Sequence, residues 1–375
     1  MLKRLLAISV LCVACSGASG QTDAGDALVG RDAGDTGSED TRHDASVAVR
    51  TFVYVGLTTG DLVTLDGATL GEVARTHTGN FPSFIASSAD GAHLYVVHES
   101  GNELASIDVA HDGRTSVTSR RSALGGPTFV AIDHAGRHVF TASYGSGQVY
   151  AFGIAADGTL AATPTSTAVV GTHAHQSVPN ASDTFLYVPC LGDDRVVVEH
   201  IGVDGSLTPA SSTNVATGAG PRHLALTADG HFAYLIDETG STLDVLSVDA
   251  TTGALTDVQT VSTLPAGFTG TNACAEVLVS ADQRFVYGSN RGHDSVVVFA
   301  RDATSGRLTL VEHEPVGGMH PRSMTLSRDA AHLYVAARDS DLIAVFDVGV
   351  DGRLTAARTL PMPGHPYFIG EMPAP

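Results

Sequence analysis

A single hairpin unit, written seven times over, constrains this chain more than any other feature. Gly220 to Leu243 reads G-P-R-H-L-A-L-T-A-D-G-H-F-A-Y-L-I-D-E-T-G-S-T-L. Leu224 and Leu226 alternate into Asp229-Gly230, and a second apolar run, Phe232 to Ile236, ends at Asp237-Glu238. Asp-Gly between two such runs predicts a β-hairpin. The start of its first strand and the end of its second then share one edge, so Arg222 and Glu238 are expected to meet there.

The aromatic of the second strand recurs at Tyr54, Tyr95, Phe140, Tyr187, Tyr234, Tyr287 and Tyr334, at spacings of 41, 45, 47, 47, 53 and 47. The start of the first strand recurs at Pro82, Pro127, His175, Pro221, Glu276, Pro321 and Pro366, at spacings of 45, 48, 46, 55, 45 and 45. Two independent markers thus return seven copies each. A third apolar strand follows in each copy, such as Ser295 to Phe299 or Leu342 to Phe346, then a Gly-containing turn and a fourth strand, as in Gly306 to Leu310. Four short antiparallel strands in roughly 45 residues describe a propeller blade. A β-solenoid has shorter repeats and lacks hairpins at this spacing.

The repeat region opens with a second strand, Phe52 to Gly56, and finishes with a first strand, His365 to Ile369. Pairing the two completes one blade and removes an open sheet edge. The expected fold is therefore all-β: a seven-bladed β-propeller over residues 51–375, closed by its N- and C-terminal strands. No helical period runs after residue 50.

Lys3 and Arg4 precede the apolar run Leu5 to Ala14, which predicts a signal peptide over residues 1–15. Cys12-Val13-Ala14-Cys15 resembles a lipobox with Cys15 as the lipid-modified residue. Residues 16–50 are small and acidic with few large apolar side chains, and read as a flexible linker. The expected location is the bacterial envelope, periplasmic or cell surface, with membrane contact through the lipid anchor only. Cys190 and Cys274 lie two repeats apart and are expected to be buried free thiols. A net charge of −19 argues against a nucleic-acid partner.

The hairpin geometry gathers polar residues at one channel mouth: His173 and His175, Arg222 and His223, Glu238, Glu276, Asn290-Arg291 and Arg322. Tyr144 ends the second strand of the third blade, and His98-Glu99 ends that of the second. Arginine forks suit carboxylates and oxyanions, and a His–Glu set suits acid–base work. The bland reading is that polar strand ends tie blades together. Asp90 and Asp229, at the opposite face, read as turn formers. Neither a C-x-x-C pair, an H-E-x-x-H pattern nor a G-x-S-x-G elbow is present. His173-Ala174-His175 has no adjacent carboxylate to complete a metal site.

The hairpins at 220–238 and 275–299, with T-H-A-H at 172–175, A-S-Y-G-S-G at 142–147 and H-P-R-S at 320–323, carry a resemblance. Over about residues 51–371 the chain resembles the seven-bladed lactonase family, the 6-phosphogluconolactonase-like propellers that also include fungal carboxy-muconate cyclases. The resemblance implies catalytic roles for His175, Arg222, Glu238 and Arg291, and lactone chemistry without a metal or organic cofactor. His173, His223, Tyr144, Glu276 and Arg322 are expected to bind substrate. His98-Glu99 stands where relatives often carry Asn-Glu, and Cys190 where they often carry Asp.

The expected activity is hydrolysis of a sugar or related lactone by a monomer, with a small-molecule lactone or carboxylate as its partner. An exported protein is an unsuitable host for the cytoplasmic phosphorylated substrate. Lactone closure by a cycloisomerase would use the same groups. The alternative is a tethered propeller that binds a ligand or protein without catalysis.

Overall fold

The structure, a computed structural model, describes residues 50–122 and 124–375. The signal region with Cys15, and the linker up to residue 49, lie outside the described residues. The described chain forms seven four-stranded antiparallel sheets. Blades 2 to 7 run over residues 82–122, 127–169, 178–214, 221–262, 273–315 and 321–361. Blade 1 joins both ends: Pro366–Pro373 pairs antiparallel with Thr51–Leu57, which continues to Asp61–Asp66 and Glu72–His77. The terminal closure expected from the sequence is therefore present.

Seven apolar clusters hold the ring, one in each space between neighbouring blades. This follows from the strand pattern: both faces of the inner strands are apolar, because each blade is covered on both sides. The repeated aromatics sit in these spaces, all nearly fully buried. Their hydroxyls also tie blades together. Tyr95, Tyr234 and Tyr287 each donate to a turn carbonyl of the next blade, Gly158, Gly306 and Gly352, at 2.9, 2.8 and 3.2 Å. Each such bond is worth about 1 kcal/mol net.

Asp229-Gly230 does not form the two-residue turn that its sequence suggests. The ladder already ends at Leu226–Ala233, and Thr227 and Asp229 build a longer loop between. The Thr227 hydroxyl donates to Asp229 Oδ1 at 2.5 Å and accepts from the Phe232 amide at 3.1 Å, while Asp229 accepts from the His231 amide at 3.0 Å. Ser88 with Asp90, Ser280 with Asp282, and Ser327 with Asp329 repeat the device. Glycine is dispensable in it, since Gln283 and Ala330 hold φ of 62° and 59° where Gly230 holds 70°.

At the opposite face the first strands carry a second repeated irregularity. In six blades the register slips at the start of the first strand, as between Pro221 and His223. Two residues there oppose one, which breaks the alternation of the pleat. Arg222 and His223 consequently both reach the channel, as their contacts below demonstrate.

Blade 4 differs. Its first strand is only Val178–Pro179, preceded by an isolated bridge between Ala174 and Cys190. Pro189 in the neighbouring strand has no amide hydrogen to donate. His175 therefore gives its amide to the Pro189 carbonyl at 3.0 Å, and its own carbonyl accepts from the Thr128 hydroxyl of blade 3 at 3.0 Å.

Candidate functional site

Register assigns every mouth residue an equivalent in the other blades. The first-strand residue paired with the end of the second strand is Pro82, Pro127, Ala174, Pro221, Cys274, Pro321 or Pro366. His175 and Glu276, aligned with the prolines in the sequence, thus sit one and two residues further in. The first residue inside that pair is Ser83, Thr128, His175, Arg222, Ala275, Arg322 or Tyr367. The next is Phe84, Phe129, Gln176, His223, Glu276, Ser323 or Phe368. Two stacked rings result, one at the mouth and one beneath it.

The mouth ring is charged. Glu238 Oε2 lies 2.9 Å from Arg222 Nε and 3.1 Å from Arg291 Nη2, so one carboxylate bridges two guanidiniums. The first contact is an ion pair without hydrogen-bond alignment, since Arg222 Nε has no hydrogen-bond partner among the described residues. Backbone carbonyls fix both arginines: Ala275 accepts from Arg222, and Ala273 and Cys274 accept from Arg291 at 3.2 and 2.6 Å. Burial opposes ionisation of Glu238, yet Arg222 and Arg291 hold its carboxyl below the ordinary range. Glu238 is therefore an anion at neutral pH.

His175 is buried beside this trio. Its ring stands 5.0 Å from that of His223 and 5.9 Å, edge-on, from Tyr144. Its Nδ1 is buried with no hydrogen-bond partner among the described residues. Burial, then the charges of Arg222 and its neighbours, hold the imidazole well below its ordinary value. The neutral ring that results is a proton acceptor at physiological pH.

Arg322 lies over the Tyr367 ring, 3.6 Å from the centroid, and makes no hydrogen bond or ion pair among the described residues. Burial, together with like charge on Arg222 and Arg291, pushes Arg322 down to about 9, so it stays cationic at neutral pH. Tyr144 stacks on His173 at 4.1 Å, nearly parallel at 5°. His173 is thus held at the rim by Tyr144, with a left-handed φ of 58° just before the Ala174 bridge, as at the equivalent Phe81, His320 and His365.

His223 and Glu276 belong to the ring beneath. His223 Nδ1 donates to Glu276 Oε1 at 2.7 Å, and both are almost fully covered, at 2% and 6% exposure. Phe84 and Phe129 pack edge-on against His223, with Phe368 beside Phe84. This aromatic layer packs below the charged mouth. The nine residues expected to catalyse or to bind substrate therefore divide: His175, Arg222, Glu238, Arg291 and Arg322 share the mouth, Tyr144 and His173 form its rim, and His223 and Glu276 support it from below.

Two further residues at the mouth were missed as site residues. Glu99 is the blade 2 equivalent of Glu238, and both donate their amides to the residue before the blade's first strand, Phe81 and Gly220. The Tyr367 hydroxyl donates to Glu99 Oε2 at 3.4 Å. The signal for Glu99 was its place in the repeat, one residue after the end of a second strand. Cys190 and Cys274 are buried free thiols, raised to about 12 and about 11 by burial, and so inert at neutral pH.

The profile of the family described as "Lactonase, 7-bladed beta-propeller" matches residues 54–369. A 6-phosphogluconolactonase of Sodalis glossinidius is 33% identical over 187 residues, and one of Bacillus subtilis is 32% identical over 184. Those matches cover 49% of this chain and 56% and 52% of the relatives, so the chain spans about half the length of the curated relatives it matches. Among solved structures, a periplasmic gluconolactonase of Pseudomonas aeruginosa is 29% identical with a TM-score of 0.79, covering 87% of this chain and 100% of that one.

Proposed function

The chain belongs to the seven-bladed β-propeller lactonase family, and from that premise we propose that it is a lactone hydrolase working at the charged channel mouth. The observation that carries this reading is the Glu238 carboxylate bridging Arg222 and Arg291, beside a neutral His175 with an unpartnered buried nitrogen.

In this mechanism His175 accepts a proton from water as the oxygen attacks the ring carbonyl. Arg222 and Arg291, oriented by Glu238, receive the charge that develops on the carbonyl oxygen. Their guanidiniums are already fixed by backbone carbonyls, so little reorganisation accompanies the reaction. The ring carbon–oxygen bond then breaks, and the ring oxygen takes up a proton. Glu238 and His175 both rest in their base forms, so a proton taken from water by one is available for return. Arg322 and the Tyr144–His173 rim contact the remainder of the substrate.

The substrate proposed is a sugar or related lactone met outside the cytoplasm. The signal region supports export, and one relative of known structure is named a periplasmic gluconolactonase. Cys15 is the proposed lipid-bearing residue. A Cys15→Ser protein would then leave the membrane fraction, and one that stayed would refute the anchor.

Acid release at constant pH, over sugar lactones with and without phosphate and simple aliphatic lactones, tests the activity. Turnover that disappears in Arg222→Ala and Glu238→Gln proteins of unchanged melting temperature supports the enzyme and its site. A flat trace across the panel refutes it and favours a ligand-binding propeller.

A further inference from the structure

Glu99 and Glu238 occupy the same position in blades 2 and 5, three blades apart on a ring of seven. Equivalent backbone thus presents two carboxyl groups from nearly opposite sides of one mouth. Their surroundings differ sharply. Glu238 touches two guanidiniums at 2.9 and 3.1 Å, whereas Glu99 has no ion pair among the described residues and receives only the Tyr367 hydroxyl at 3.4 Å. That hydroxyl belongs to the ring on which Arg322 is stacked, and Phe81 packs on it too, at 4.4 Å.

The groups facing Glu99 are few. They are Tyr367 from the closing strand of blade 1, Arg322 from blade 7, Arg222 from blade 5 and the Tyr144 phenol from blade 3. Burial pushes the Glu99 carboxyl up, and the two arginines and Tyr367 only partly offset it. One mouth therefore holds two carboxyls moved in opposite directions, the arrangement that separates an acid from a base in other enzymes.

Building on the lactone hydrolase reading, we propose that Glu99, hydrogen-bonded by Tyr367, is the proton donor to the departing ring oxygen. The assignment follows from what each group has to give. Glu238 is locked as the anion between Arg222 and Arg291 and serves to orient them. His175 receives the proton of the attacking water. When the tetrahedral intermediate collapses, the electron pair of the ring carbon–oxygen bond goes to oxygen, and Glu99 supplies the proton that makes it a hydroxyl. The imidazolium of His175 then returns the water-derived proton to the Glu99 carboxylate through mouth water, so the site ends as it began. No other reactant is required.

The test compares two lactones with the full-length protein. One is an alkyl lactone, δ-gluconolactone, whose leaving group is an alcohol. The other is dihydrocoumarin, whose leaving group is a phenol and needs no protonation to depart. Glu99→Gln is expected to lower kcat on the alkyl lactone about 100-fold and on dihydrocoumarin about 3-fold or less. It should also abolish the decline in rate that accompanies ionisation of Glu99 as pH rises. Equal losses on the two lactones, or no loss on either, overturn the proposal.

Tyr367→Phe supplies a second arm that does not depend on Glu99→Gln folding. It keeps the ring beneath Arg322 and removes a bond that favours ionised Glu99. The limb that follows ionisation of Glu99 should then move to higher pH, and an unmoved limb overturns the proposal. If the unaltered protein turns over neither lactone, the hydrolase reading falls and this one with it. If it turns them over while Glu99→Gln is unaffected, only the role of Glu99 falls.

Discussion

The two faces of the propeller are built from the same repeat, yet their charged groups are controlled in different ways. At the turn face, Asp90, Asp229 and Asp329 are lowered first by a hydroxyl two residues away, and in Asp282 the same kind of bond offsets burial. At the mouth, Glu99, His175 and Arg322 are shifted first by burial and then by charges from other blades. A turn aspartate is satisfied within five residues of chain. A mouth residue depends on groups that reach it only once the ring is closed. These turn aspartates are therefore satisfied mainly by their own loops, while the mouth keeps residual charge and, among the described residues, unpartnered donors for a ligand.

Mutation should split along that line, and the largest effect is expected at the mouth. Glu238→Gln leaves Arg222 and Arg291 without their bridge, so kcat on a lactone should fall about 100- to 1000-fold. The melting temperature should hardly move, because Glu238 retains 25% side-chain exposure and its loss opens no cavity. A full collapse of the fold would erase the contrast between faces.

Asp229→Ala should do the reverse. It removes the acceptor for the Thr227 hydroxyl and the His231 amide, costing about 1 kcal/mol while kcat and KM stay constant. Thermal unfolding and steady-state kinetics on the same preparation check both halves. A change in kcat would show that the turn face reaches the site.

Acid stability sharpens the same comparison. The folded Asp229 carboxyl lies below its unfolded value, so its contribution is present above the unfolded value near 4 and is lost as pH falls through the folded one. In Asp229→Ala the fall in stability below about pH 4 should be shallower than in the unaltered chain. Parallel pH–stability curves would remove Asp229 from that role.

The smallest effect expected is a null one. Buried His175 is held neutral, so turnover should stay level as pH falls through about 6.5, where an exposed histidine gains its proton. A rate that halves there would mean that the mouth is wetter than its burial implies.

Legibility followed the range of each contact. The Arg222–Glu238 pair was expected from one hairpin, and the structure brings the two within 2.9 Å, because register within a hairpin is a local property. The expected leader and the expected Cys15 anchor lie outside the described residues and stay with the sequence alone. The Asp-Gly motif identified a real hairpin, and the structure adds that a Ser or Thr two residues ahead of Asp closes its loop. His175 and Glu276 were aligned with prolines they do not match. Ala174 and Cys274 hold the proline position in blades 4 and 6, so the proline marker is missing there and only strand pairing reveals the offset.

What the sequence determined by itself is the repeat: seven hairpins with apolar faces, and two terminal half-blades that each lack a partner. Local hydrogen bonds and period-two patterning suffice for that, and both are written within a few residues. Only the tertiary structure decided which mouth residues meet. Glu238 bridges its own hairpin to Arg291 of the next blade, and Glu99 takes its hydrogen bond from Tyr367, 268 residues away across the closure. Those contacts, and the desolvation that moves the two glutamates apart, exist only when the ring closes and excludes water. Burial is a property of the assembled whole, and no spacing within one repeat encodes it.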